Sequence, residues 1–298
     1  MNKRKSILIG IALLLISGTV FAFTFPPRVS WNPSTLNPAS IAPGNTASFQ
    51  FTLTNTGLLP IPATNQLKIV AEGDIVPFVT FNQPTFPPVF KRGNQVTIQV
   101  HISAPSTTAY LRKSGQLVLQ RVLPNGKVKE VWKADALPVQ VTFSSIALPP
   151  YPDPSANNAT LEGIDYDMNK VRDDIDHYIA ETYPNSAKIR EALKQEARAL
   201  TPFLLDAGDR EMTRANSLGI ANGHACTYYI AGFSIDASVA IRAPFFIQFM
   251  NTKERSKAYW SADQKLGGMP DPRGRVLASD ENARDKASCS FDSDSLPD

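Results

Sequence analysis

Apolar and polar residues alternate with period two in several short runs of the first half of the chain. In Ser48-Phe49-Gln50-Phe51-Thr52-Leu53-Thr54, residues Phe49, Phe51 and Leu53 fall on one face, as a half-buried strand requires. Val96 to Ile102 repeats the pattern, with Val96, Ile98, Val100 and Ile102 inward and His101 outward. Gln116 to Val122 and Lys127 to Trp132 flank Pro124-Asn125-Gly126. Asn-Gly can supply the two positive-φ residues of a type I′ hairpin turn, so these runs are expected to pair. Trp132 is expected to pack in the core or at a sheet edge, and Leu137 to Phe143 to close the sheet. About seven strands over residues 28–143 suit two half-apolar sheets burying their faces.

The period changes after Leu148-Pro149-Pro150-Tyr151-Pro152-Asp153-Pro154, where the prolines suppress both helix and sheet pairing and favour an extended spacer. Val171, Ile175 and Ile179 then recur at helical spacing. Ser186 can cap a helix in which Ile189, Leu193, Ala197 and Leu200 form one stripe. A third helix is expected from Asp209 to about Ala231, with Met212, Ala215, Leu218, Ala225 and Tyr229 facing partners. A fourth should run from Val239 to Lys265, carrying Phe246, Phe249 and Met250. The fold class expected is multidomain, β then α: a β-sandwich, a Pro-rich linker and a small helical bundle.

The first 22 residues read as an export signal, with basic residues among Asn2 to Lys5, an apolar run from Ile7 to Ile16 and the end Val20-Phe21-Ala22. Cleavage after Ala22 is expected; the alternative is an uncleaved anchor, because Ile7 to Phe25 is nearly long enough to cross about 30 Å of hydrocarbon. No later apolar run reaches the roughly 20 residues of a spanning helix, so no membrane span is expected after signal removal. The organisation is then a signal peptide at 1–22, a sandwich at 23–147, a linker at 148–160, a helical domain at 161–266 and a poorly ordered tail at 267–298.

Charge narrows the function classes. The formal net charge of +3 rests on Lys3, Arg4 and Lys5 of the signal, so a nucleic-acid partner is excluded as an electrostatic reading. Residues 23–150 carry a net charge of +6 and residues 155–298 a net charge of −5. The first half resembles the immunoglobulin-like modules of bacterial exported and surface proteins. The likeness lies in Ala42-Pro43-Gly44-Asn45-Thr46, Thr54-Asn55-Thr56-Gly57, Lys91-Arg92-Gly93-Asn94-Gln95, Ser103-Ala104-Pro105 and Leu137 to Phe143. The resemblance implies an immunoglobulin-like β-sandwich as the first domain; such modules are mostly spacers or binding scaffolds, so it implies no particular ligand.

The most specific chemical signal runs from Asp165 to Asp176. Asp165, Asp167, Asn169, Asp173 and Asp176 stand at positions 1, 3, 5, 9 and 12, and Val171 can offer its carbonyl at position 7. A calcium loop has this spacing, because a hard cation needs six to eight oxygens folded about one point. The segment resembles the EF-hand-like loops of dockerin modules and thrombospondin type 3 repeats, and a recurring Asn-Gly-Val-Arg-Asp-Asp stretch of uncharacterised exported bacterial proteins. Lys170 replaces the turn glycine, and Asp176 replaces the bidentate Glu. Two readings follow: Ca2+ bound here as the only cofactor, or a degenerate loop whose Asp173 and Asp174 favour the positive end of the next helix.

Cys226 and Cys289 are the only cysteines, and export makes a disulfide between them the expectation. A Cys226–His224 catalytic pair is disfavoured, since residues two apart on a helix point away from each other. His177 is expected on the surface. There is no phosphate-cradling glycine loop, nucleophile elbow or HExxH motif. The function expected is a non-enzymatic binding or structural role in the periplasm or at the surface of a bacterium, with an unidentified protein or a cell-envelope glycan as partner. The alternative is an envelope hydrolase that uses carboxylates of the acidic half, with the sandwich holding substrate.

Overall fold

The computed structural model describes residues 28–63, 66–267, 272–273 and 280–298. The export signal expected at 1–22 lies outside the described residues. The chain divides into two compact units. One holds the chain up to Asn37, Gly44–Ser106 and Arg112–Val141; the other holds Pro38–Pro43, Thr107–Leu111 and Thr142–Asp298.

The first unit is built on β-sheets. One has the order β1 (Val29–Asn32), β2 (Thr46–Asn55), β7 (Gln95–Ser103), β5 (Val79–Phe81). The other has the order β10 (Leu137–Ser144), β8 (Tyr110–Val122), β4 (Leu67–Gly73), with β9 (Val128–Val131) also on β8. The short β3 (Ile61–Pro62) and β6 (Val89–Phe90) pair with each other. Alternation puts Phe51 and Leu53 of β2 and Val96, Ile98, Val100 and Ile102 of β7 in the core, while Phe49 is half-buried. Trp132 is buried. His101 stays on the outer phase, where its Nδ1 lies 2.7 Å from Ser48 Oγ on the neighbouring strand.

The β8–β9 hairpin forms, but its turn is not type I′. Gly126 has φ 80°, whereas Asn125 is not left-handed. Gly126 N donates to Leu123 O, and Leu123 N donates to Lys127 O, both at 2.8 Å. The longer loop places a single left-handed residue after an ordinary turn, which needs one glycine rather than an Asn-Gly pair.

The second unit is helical. Its elements are α1 (Pro154–Asn157), α2 (Asp173–Thr182), α3 (Ala187–Leu205), α4 (Arg210–Ile230), α5 (Ile235–Phe249), α6 (Lys253–Lys265) and α7 (Glu281–Ala287). The stripe of Val171, Ile175 and Ile179 meets Leu193, Ala197 and Leu200 in a core completed by Phe203, Phe245 and Phe249. Ser186 caps α3 by accepting from Ile189 N. The helix expected over 239–265 is two helices, because Thr252 accepts from Arg255 N and starts α6 afresh.

One expectation about this unit, the buried face of α4, is corrected. In the proline stretch Leu148, Pro149 and Pro152 are buried, Pro154 opens α1, and Ser40 bonds Leu148 through its backbone N (3.0 Å) and its Oγ (2.9 Å). On α4, Met212 and Leu218 are exposed. The buried face carries Ile220, Gly223, Ala225 and Cys226, because Gly219 and Gly223 let α4 approach Ala199 and Glu196 of α3 closely. Of the tail expected at 267–298, residues 268–271 and 274–279 lie outside the described residues; further on, α7 is held by the Cys226–Cys289 disulfide, and Ala187 N donates to Pro297 O at 3.1 Å.

Candidate functional site

The acidic loop ends at α2, whose first turn carries Asp173, Asp174 and Asp176. Two left-handed residues, Met168 (φ 57°) and Lys170 (φ 68°), turn the backbone back on itself. Neither is glycine, so each costs roughly 1–2 kcal/mol of local strain. Asp165 offsets part of this by accepting from Asn169 N (3.2 Å) and Lys170 N (2.9 Å). Asn169 Oδ1 accepts from Val171 N at 2.7 Å, and both oxygens of Asp173 accept from Tyr166 N.

These bonds bring carboxylate oxygens of Asp165, Asp167 and Asp173 within 4.8 Å of one another. Oxygens on opposite sides of a calcium ion held at about 2.4 Å are about 4.8 Å apart, so the spacing fits a shared cation. Asn169 and Asp176 are adjacent but otherwise engaged. Asn169 Nδ2 donates to Asp167 Oδ2 (3.0 Å) and Asp176 Oδ2 (2.7 Å), and Asp176 Oδ1 lies 3.1 Å from Lys194 Nζ of α3. Of the six ligands expected from the sequence, three converge, and two are held beside them by bonds within the protein. Val171 is fully buried at the core edge of the loop.

Burial, with crowding of like charges added to it, shows in the acidities. Burial pushes the Asp173 carboxyl up to about 7, against the Tyr166 amide and with the help of Asp165, Asp167 and Asp176. Asp165 is raised by burial and by Asp167, and Asp176 by burial against the pull of Lys194. A divalent cation would favour the charged form of all three.

Sequence reasoning missed the frame behind the loop. Arg172 is buried, donates to both oxygens of Asp174 and to Phe249 O, and lies over the Phe249 ring. Arg255 is fully buried and donates to the carbonyls of Asn157, Thr160 and Leu161, which fixes the chain leading into the loop. Burial, chiefly, lowers its pKa to about 10. No sequence signal separates these arginines from surface ones except their place beside apolar stripe residues. His177 is buried rather than exposed: its Nδ1 lies 3.1 Å from Tyr110 Oη and its Nε2 2.9 Å from Pro149 O, within the second unit.

No family model matches the chain, and no curated protein matches it. Solved structures with partial likeness include a Vibrio cholerae VesB protease, with 12% identity over 39% of this chain and 32% of that one, at a TM-score of 0.24. The chain thus aligns with about a third of that protease. The PapD-like domain 7 of human CEP192 matches at 10% identity over 40% of this chain and 85% of the domain (TM-score 0.24). The GspB Siglec domain matches at 12% identity over 54% and 76% (TM-score 0.24). By its own structure the protein is a chain of β then α architecture with one disulfide. No helix among the described residues is long and apolar enough to cross a membrane.

Proposed function

We propose that this is an exported, non-catalytic bacterial envelope or surface protein whose immunoglobulin-like β-sandwich and helical unit serve binding or structural work, the helical unit being stabilised by Ca2+. The ion would sit among Asp165, Asp167 and Asp173, with Asn169, the Val171 carbonyl and Asp176 completing its oxygen shell. One observation carries the reading: three carboxylates from a strained loop gather within 4.8 Å at the start of a helix. The disulfide suits an oxidising compartment. The carboxyls with raised pKa values are gathered at ion-ligand positions, which favours ion binding over an acid–base pair.

Calcium titration followed by thermal melting tests this. An ion bound only by the folded protein raises the melting temperature with concentration by mass action. Asp165→Ala and Asp167→Ala should abolish that rise. An unchanged melting temperature in millimolar calcium would reduce the loop to a fold element.

A further inference from the structure

Glu196 of α3 is completely buried. Burying a carboxylate costs several kcal/mol unless it is well paired, and apolar packing would serve a helical core as well. Here the pairing is thorough. Oε1 lies 3.2 Å from His224 Nε2 on α4 and 3.2 Å from Arg242 Nη2 on α5, and Oε2 accepts from Arg242 Nε at 2.9 Å. Gly223 permits this closeness, since a Cβ there would stand 3.1 Å from Glu196 Cα.

Both partners of the buried carboxylate reach solvent, with side chains 40% exposed for His224 and 23% for Arg242. They line one groove of about 390 Å³ formed by α3, α4, α5 and α6. Its remaining walls are mainly apolar and include Leu200, Val239, Phe246, Ile247 and Tyr259. Small-molecule sites have this size and this character, apolar walls with a few fixed polar groups. No carboxylate is among the described lining residues of this groove, and Arg242 is the one formally charged side chain among them, while Asp263, Glu281 and Asp285 line neighbouring depressions that share His224. Glu196 engages Nε and Nη2 of Arg242 and Nε2 of His224, which leaves Arg242 Nη1 and His224 Nδ1 outside that pairing. Val239 and Ile247 are large apolar side chains left 52% and 73% exposed beside the basic pair.

We propose that this groove binds a small organic acid, its carboxylate held by Arg242 through Nη1 and its apolar chain lying along Val239, Phe246 and Ile247. The buried Glu196 acts as a positioning residue, fixing the guanidinium and the imidazole before the ligand arrives. This rests on the binding role proposed above but not on the acidic loop. Titrations with and without calcium therefore distinguish failure of one from failure of the other.

The test is calorimetric titration of the full chain with octanoate, alongside octylamine and octanol as cationic and neutral probes of equal length. Octanoate should bind saturably with one site, at least roughly tenfold tighter than either control, or about 1.4 kcal/mol. Ile247→Glu changes an exposed residue and should leave melting unaltered while weakening octanoate tenfold or more. Arg242→Gln should remove the preference for octanoate over octanol. Because that change leaves Glu196 less paired, the double variant Glu196→Gln with Arg242→Gln keeps the test valid if the single variant does not fold. The proposal is overturned if octanoate fails to saturate at millimolar concentration, if octylamine binds as well, or if Ile247→Glu leaves binding unchanged. A peptide ending in an apolar residue that binds where octanoate does not would also overturn it, in favour of a docking site for another protein.

Discussion

Lys194 of α3 holds Asp176 of α2 at 3.1 Å, so the last acidic position of the loop is neutralised from a helix nearly twenty residues further along the chain. The ammonium and a bound cation compete for the same carboxylate. Removing the lysine should therefore act oppositely on the ion-free and ion-bound protein. Lys194→Met is expected to lower the melting temperature without calcium, because it leaves a buried carboxylate less paired, and to enlarge the rise caused by calcium. Paired melting curves of both proteins with chelator and with calcium check this; an equal rise in both would separate Asp176 from the ion.

Lys170 at φ 68° tests the strain in the loop. Lys170→Gly should stabilise the ion-free protein by about 1 kcal/mol, since glycine adopts this conformation without a Cβ penalty. It should also tighten calcium by removing a nearby positive charge. Chemical denaturation reads the first effect and calorimetry the second.

Acid stability should depend on Glu196. Burial, the largest influence, pushes its pKa up, but His224 and Arg242 together outweigh burial and hold it below the usual carboxylate range. A carboxylate with a depressed folded pKa contributes stability that is present above its unfolded pKa of about 4.3 and lost as pH falls through the folded value. Glu196→Gln should flatten this part of the acid limb and destabilise the protein at pH 7 by roughly 1.5–3 kcal/mol, the range for hydrogen bonds to charged groups. Denaturation midpoints from pH 7 to pH 2 would show it, and an acid limb identical to wild type would refute it.

Cys226 and Cys289 close a loop with a sequence separation of 63. Chain entropy predicts a stabilisation of about 4 kcal/mol for such a loop. Cys226→Ser with Cys289→Ser should lower stability in that direction and speed proteolysis after α6, where the tail loses its tether to α4. Limited proteolysis with mass mapping locates the cut, and an unchanged cleavage pattern would show that contacts such as Ala187 N to Pro297 O hold the tail unaided.

Local pattern by itself determined the inward faces of β2 and β7, the stripe of Val171, Ile175 and Ile179, the cap at Ser186, and the left-handed turn at Lys170. Each depends on residues a few positions apart, where strand and helix periods or a single φ angle are decisive. Tertiary structure decided the rest. His177 has an ordinary surface residue's sequence context, yet packing against Tyr110 and Pro149 buries it. Met212 and Leu218 match a helical period, yet close approach at Gly219 and Gly223 turns α4 so that another face is covered. Glu196 and Arg255 are buried because partners from distant elements satisfy their charges and hydrogen bonds, and Arg172 adds the distant Phe249 carbonyl to its neighbour Asp174; no local spacing records which distant partner will arrive. The acidic loop lies between the two cases: the order of its oxygens is written in the chain, but Lys194 and Tyr166 decide which of them remain turned toward a common point.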